Sequence, residues 1–164
     1  MLTSLEIVPF EPALREHFYR LNAQWLERYF HIEDIDRLVL KEPETHILQP
    51  GGAIFFARLG EQIIGTCALL HESPGVYELT KMGVDETFRG QGTGRLLLDT
   101  AIAEFRRREG RQLFLESSST LTTALRMYEK AGFVMQPTIR EGSHYQRADV
   151  YMIYQPPARA AIDA

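Results

Sequence analysis

VDETFRGQGTGRLLL, residues 84–98, places an arginine ahead of three glycines within five residues and then runs directly into an apolar periodic segment. A helix starting there leaves backbone N–H groups unpaired in its first turn and points the positive end of its dipole at the loop. Such an end stabilises a phosphate laid against it. Gly90, Gly92 and Gly94 remove side chains that would hold an anion away, and Arg89 adds a charge that can pair with it. An ordinary glycine-rich turn is the plainer alternative, but the order strand, arginine, glycines, helix favours the anion. Two well-known phosphate loops do not fit the letters. The stretch lacks Gly-Lys-Ser/Thr, and Gly-x-Gly-x-x-Gly counted from Gly90 ends on Arg95.

Upstream, SLEIVPF (4–10) predicts a short first strand, and Leu14, Phe18, Leu21, Trp25, Leu26 and Tyr29 recur at helical spacing after Pro12. A second helix is expected near Glu33, where Glu33, Asp34 and Asp36 complement a helix dipole. The QPGG turn (49–52) precedes two strands, AIFFARL and QIIGTCALL, joined through Gly60 and Glu61; after Ser73–Gly75, VYELTKMGV completes an antiparallel meander. Downstream, Leu97, Leu98, Ala101, Ile102 and Phe105 mark one face of a helix expected to end at Gly110 as its C-cap. QLFLES is a short buried strand, and Thr122 or a neighbour caps a helix that carries Leu125, Met127 and Tyr128 and stops at Gly132. FVMQPTIREGSHYQRADVYMIY (133–154) reads as two strands joined by a polar loop, and the last residues as a frayed tail.

With 164 residues, 45% hydrophobic and 24% charged, the chain fits one domain, residues 1–155, followed by a flexible tail at 156–164. A net charge of −4 and a pI near 5.7 make neither nucleic acid nor membrane a default partner and favour a cationic substrate. The lone Cys67 excludes an intrachain disulfide and reads as a small buried residue; no leader and no long apolar run are visible, so a soluble cytoplasmic protein is expected. His31, His46 and His71 show no metal spacing, and no metal is expected. Arg106 to Arg108 read as a solvated helix end.

The run Arg89, Gly90, Gln91, Gly92, Thr93, Gly94 matches the pattern Arg/Gln-x-x-Gly-x-Gly/Ala. In it the chain resembles the GNAT superfamily of acyl-CoA-dependent N-acetyltransferases. The resemblance extends to KMGVDETFRG (81–90) and ALRMYEKAGF (124–133), so it spans Tyr77 to Phe133. It implies an α/β (α+β) fold: a mixed, mostly antiparallel sheet of six or seven strands, flanked by about four helices, with splayed central strands. It implies acetyl-CoA as cosubstrate, with its pyrophosphate on the amides of Arg89, Gly90, Gln91, Gly92, Thr93, Gly94 and Arg95. The pantetheine arm would lie along main-chain groups such as those of Met82 and Val84, beside Gly83, a glycine that marks a bulge or a close backbone approach. Many relatives carry an asparagine where this chain has Leu121; Ser118, Ser119 or Thr120 either replace it or only cap the helix.

The implied activity is transfer of acetyl to a primary amine of a small molecule or amino acid by direct attack. Acetylation of a protein N-terminus or lysine, and a non-catalytic acyl-CoA sensor, are the alternatives; a homodimer is compatible with all three. Direct attack needs a neutral amine, a polarised carbonyl and a thiolate that can leave. Strand alternation puts Glu78, Thr80, Met82 and Val84 on one face, and Glu78 is the expected base, about 13 Å along the strand from Met82 and so acting through water. A rim carboxylate without catalytic duty is the other reading. Tyr128 is the expected proton donor to the thiolate, against a packing tyrosine, and the Met82 N–H the oxyanion donor. Tyr29, Tyr145 and Arg147 are the candidate acceptor residues, with His144 and Asp149 near them and an Arg147 and Asp149 pair suited to a zwitterion. Trp25, Tyr29 and Phe30 form an opposing wall or simply pack the core.

Overall fold

The computed structural model describes residues 4–143 and 145–156. Seven strands form one sheet in the order β1-β2-β3-β4-β5-β7-β6. They are β1 Leu5–Pro9, β2 Ala53–Leu59, β3 Gln62–Ser73, β4 Val76–Val84, β5 Gln112–Ser117, β6 Phe133–Met135 and β7 Val150–Tyr154. All pairs are antiparallel except β4 with β5. That parallel pair exists because α3, Thr93–Arg107, carries the chain across one face between the two strands. The remaining α-helices are α1 Arg15–Tyr29, α2 Asp34–Lys41 and α4 Thr122–Ala131.

Each face of the sheet has its own core. On one, Leu97, Leu98, Ala101, Ile102 and Phe105 of α3 close over Leu79, Leu113 and Met152, with Met127 and Tyr128 of α4 packed alongside. On the other, Phe18, Leu21 and Leu26 of α1 and Leu40 of α2 bury Ile54, Phe56 and Ala68. Cys67 is wholly buried, its thiol donates to the Leu97 carbonyl at 3.5 Å, and burial pushes it up to about 12. At Glu33 the helix start is a reciprocal capping box: the Glu33 amide bonds Asp36 at 3.0 Å.

Three local expectations need correction. At the end of α3 the left-handed residue is Glu109, φ 57°, not Gly110; a Cβ on Gly110 would stand 2.3 Å from the Phe105 ring, which is why a glycine is needed there. The N-cap of α4 is Leu121, a neighbour of Thr122 as expected, but it has no side-chain group to bond the helix start, so the side-chain cap is missing. The third concerns β4, whose alternation breaks. Its register on β3 passes from Ala68↔Thr80 to Thr66↔Gly83, a bulge at Lys81, φ 53°. Consequently Met82 and Val84 pack with Tyr77 and Leu79 on the α3 side, and do not share a face with Thr80, which lies opposite Ala68 of the other core. Residue 144 and residues 157–164, which include His144 and nearly all of the expected tail, lie outside the described residues. No helix among those described is long and apolar enough to cross a membrane.

Candidate active site

The parallel pairing of β4 with β5 stops after Val76↔Gln112, Tyr77↔Leu113 and Glu78↔Phe114, while β5 continues against β7 as far as Ser117↔Val150. The strands therefore part just beyond Glu78, and a cavity of about 600 Å³ opens between them, lined by Leu79 to Val84 on one side and Leu115 to Ser118 on the other. Gly83 lets α1 close on this gap: a Cβ there would lie 2.8 Å from the Leu21 carbonyl and 3.0 Å from Trp25, which also lines the cavity.

One end of the gap reaches the glycine loop. Gly90 and Gly92 have φ of 78° and 85°, and no atom lies within 4 Å of a Cβ built on either. Glycine is thus required by the left-handed backbone, and the space above it is open. Gly94 has neither property; its Cβ would make an ordinary contact with Met127 Sδ at 3.5 Å. Gly92 caps α3, so the first amides of that helix face the opening. Arg89, Thr93 and Arg95 line it, whereas Gln91 is exposed outside the lining. Arg89 donates to Tyr29 Oη at 3.3 Å, which places Tyr29 at the loop end. Ion pairs Arg20–Asp85 (3.3 Å) and Arg28–Glu86 (2.6 Å) fasten α1 to the turn that leads into the loop. Open backbone amides, a left-handed glycine pair and an arginine, continuous with a strand gap, fit an anionic carrier with a long arm.

At the far end stands Glu78, 5% exposed and lining the cavity. Burial, and then the neighbouring Glu116 carboxylate, push its carboxyl up to about 8 against the opposing pull of Lys81. Tyr128 lines the gap from α4, and burial pushes its phenol up to about 12. Behind Glu78 lies a buried charge cluster centred on Asp36, whose side chain is 0% exposed. Lys81 Nζ donates to Asp36 Oδ1 at 2.8 Å and to Tyr145 Oη at 3.0 Å. Arg147 donates to Asp36 Oδ2 at 2.8 Å, Asp36 Oδ1 at 3.0 Å and Glu33 Oε2 at 2.8 Å. Burial opposes ionisation of Asp36, but the bonds from Arg147 and Lys81 outweigh it and hold the carboxyl at about 2. Asp149 is not part of this cluster. It accepts from the Ser119 amide at 2.7 Å and the Ser119 hydroxyl at 2.6 Å, so the expected Arg147 and Asp149 pair does not form.

A profile of the acetyltransferase (GNAT) family matches residues 10–133. The chain belongs to this family. Acetyl-CoA is the acetyl donor of GNAT enzymes. A mycothiol acetyltransferase of Geodermatophilus obscurus is 33% identical over 102 residues, which cover 58% of this chain and 32% of that protein. The chain thus spans about a third of the length of the curated relatives it matches. Among solved structures, a GNAT family acetyltransferase from Staphylococcus aureus superposes with a TM-score of 0.82 at 19% identity, covering 92% of this chain and 98% of that one. One from Elizabethkingia anophelis, with acetyl-CoA bound, gives 0.67 at 19% identity over 93% and 98%. The fold of these acetyltransferases is therefore the fold of this chain.

For this GNAT member the structure brings Met82, Gly83, Val84, Arg89, Gly92 and Thr93 to one cavity, together with Glu78, Tyr128, Tyr145 and Arg147. Sequence reasoning missed two members of the buried charge cluster. Asp36 reads as a helix-start charge and Lys81 as an ordinary strand residue; only the capping-box spacing of Glu33 and Asp36 hints that Asp36 points inward.

Proposed function

We propose that this chain transfers acetyl from acetyl-CoA to a primary amine of a small molecule or amino acid by direct attack. One observation carries the reading: β4 leaves β5 immediately after a buried carboxyl, so a single opening joins the amides at the start of α3 to Glu78. The amides from Gly90 to Arg95 and the Arg89 guanidinium hold the phosphates, and main-chain groups of Met82 and Val84 hold the arm. When bound, acetyl-CoA supplies an acetyl group activated as a thioester. Glu78, raised to about 8, accepts a proton from the acceptor amine through water at slightly alkaline pH. Tyr128 Oη, neutral because of its burial, holds the proton needed when the thiol leaves. The Met82 N–H is the donor to the carbonyl oxygen.

The segment with Tyr145 and Arg147 is bonded to Glu33 and Asp36 at the start of α2 and walls the acceptor end. A fixed wall supports a small acceptor over an extended peptide, which needs an open groove. Thiol release from acetyl-CoA with a panel of amines, amino acids and short peptides tests this, and turnover with small amines is expected. Turnover with peptides alone would reassign the acceptor; binding of acetyl-CoA with no turnover would leave a sensor. In calorimetry the Arg89→Glu, Gly92→Asp variant should bind acetyl-CoA about 100-fold more weakly, since it reverses a charge and strains the cap. Normal binding by that variant refutes the loop assignment.

A further inference from the structure

Lys81 combines a left-handed backbone with a buried charge. Among the described residues other than glycine, only Lys81 and Glu109 have positive φ. Glu109 ends a helix, where that conformation is common; Lys81 lies inside a strand, where it is not. The packing on both sides explains why the strand must absorb a residue there. Tyr77 and Leu79 upstream, and Met82 and Val84 downstream, all belong to the α3 side, so the step from 79 to 82 is one residue too long for alternation. Gly83 cannot slide, because the Leu21 carbonyl and Trp25 leave no room for a side chain in its place. The surplus falls on Lys81 and Met82, which together face Cys67 between the pairs Ala68↔Thr80 and Thr66↔Gly83.

Glycine or asparagine would take this conformation with least strain. The chain has lysine, and its side chain is buried, bonded to Asp36 and Tyr145, with Nζ 4.6 Å from the Tyr145 ring centroid. A buried ammonium is stable only with such partners, so once they are in place the side chain resists leaving, and the backbone that presents it is held with it. Burial works against the charge, but Tyr145 and Asp36 raise the ammonium above its ordinary value, and it stays charged.

We propose that Lys81 is a positioning residue: its bond to Asp36 holds residue 81 in the left-handed conformation, and this aims the main chain of Met82 into the gap between β4 and β5. What the Met82 amide meets there rests on the acetyl-transfer reading; the backbone claim does not. The test compares wild type, Lys81→Met, Lys81→Gly and Tyr145→Phe by two readouts. One is amide hydrogen exchange from Thr80 to Val84 in the free protein. The other is the calorimetric preference for acetyl-CoA over CoA, which isolates the acetyl carbonyl.

Lys81→Met loses the ammonium and keeps the strain, so exchange at Met82 and Gly83 should quicken about tenfold and the preference for acetyl-CoA over CoA fall about tenfold, CoA itself losing less affinity than acetyl-CoA because Val84 and the loop still hold it. Lys81→Gly relieves the strain as it removes the ammonium, and should stay within about threefold of wild type on both readouts. A merely structural lysine would make Lys81→Gly at least as damaging as Lys81→Met, and that result overturns the proposal, as does wild-type exchange in Lys81→Met. If Lys81→Met does not fold, Tyr145→Phe decides: it weakens the hold by one bond and should quicken exchange about threefold, while no change overturns the proposal. A wild-type protein that fails to bind acetyl-CoA sinks the function reading, and the exchange series still decides the backbone claim.

Discussion

The two ends of the cleft are made of different materials. At the loop end the working groups are main-chain amides, presented by Gly90 and Gly92 in left-handed conformations at the first turn of α3. At the Glu78 end they are side chains: Glu78 on β4, and Asp36, Lys81, Tyr145 and Arg147 from three separate parts of the chain. A backbone cradle recognises what every donor of one chemical type shares. A side-chain cluster can be exchanged residue by residue, and under the proposed acetyl transfer it is there that acceptor choice would belong. The two ends should also fail differently: the first through conformation, the second through uncompensated charge.

Asp36→Ala should do the greatest damage. It strands Lys81 and Arg147 beside a fully buried vacancy, and loss of about 3–5 kcal/mol is expected from urea unfolding, in line with broken buried ion pairs. The same carboxylate gives acid sensitivity: held at about 2 in the fold, it contributes stability above its ordinary value near 3.8 that disappears as pH falls toward 2. Glu78→Gln comes next, with kcat/KM about 100-fold lower. In the wild type kcat/KM should climb through pH 8 as the base form appears, and the variant should lose that inflection. Because the folded carboxyl is raised, wild-type stability declines as pH rises from about 4.5 to 8; Glu78→Gln should unfold with a flatter pH profile and be relatively more stable at pH 9. Gly92→Ala should cost about 1–2 kcal/mol through its positive φ alone, read from a thermal midpoint. Gly94→Ala should be the mildest, within about 1 kcal/mol of wild type and with acetyl-CoA affinity intact, since its Cβ only touches Met127. Equal effects at Gly92 and Gly94 would erase the distinction between a glycine fixed by its left-handed backbone and one that is not.

The same contrast governs how much the letters disclosed. The loop end is local: arginine, glycines and an apolar helix follow one another from Arg89 to Leu98, so spacing alone locates it. The strands and helices are legible for the same reason, since their periodicity is carried within each segment. Gly83 announced a bulge in VYELTKMGV, but not that the surplus residue falls at Lys81; only the facing core reveals that Met82 is out of phase with Thr80. At the end of α3, glycine is the usual left-handed residue, yet the Phe105 ring decides otherwise, and Glu109 takes the conformation. Asp36 and Lys81 are 45 residues apart and Asp36 and Arg147 are 111 apart; their meeting is a product of the tertiary fold. Asp149, two places from Arg147, turns instead to Ser119.

Cys67 has a practical consequence. It is the sole thiol of the chain, sealed beneath α3 and held protonated by its surroundings. A disulfide reagent that reports liberated CoA should therefore meet a silent background from the native protein. A slow rise in that signal without acetyl-CoA would report unfolding, so the same colorimetric reagent can follow both turnover and the integrity of the protein.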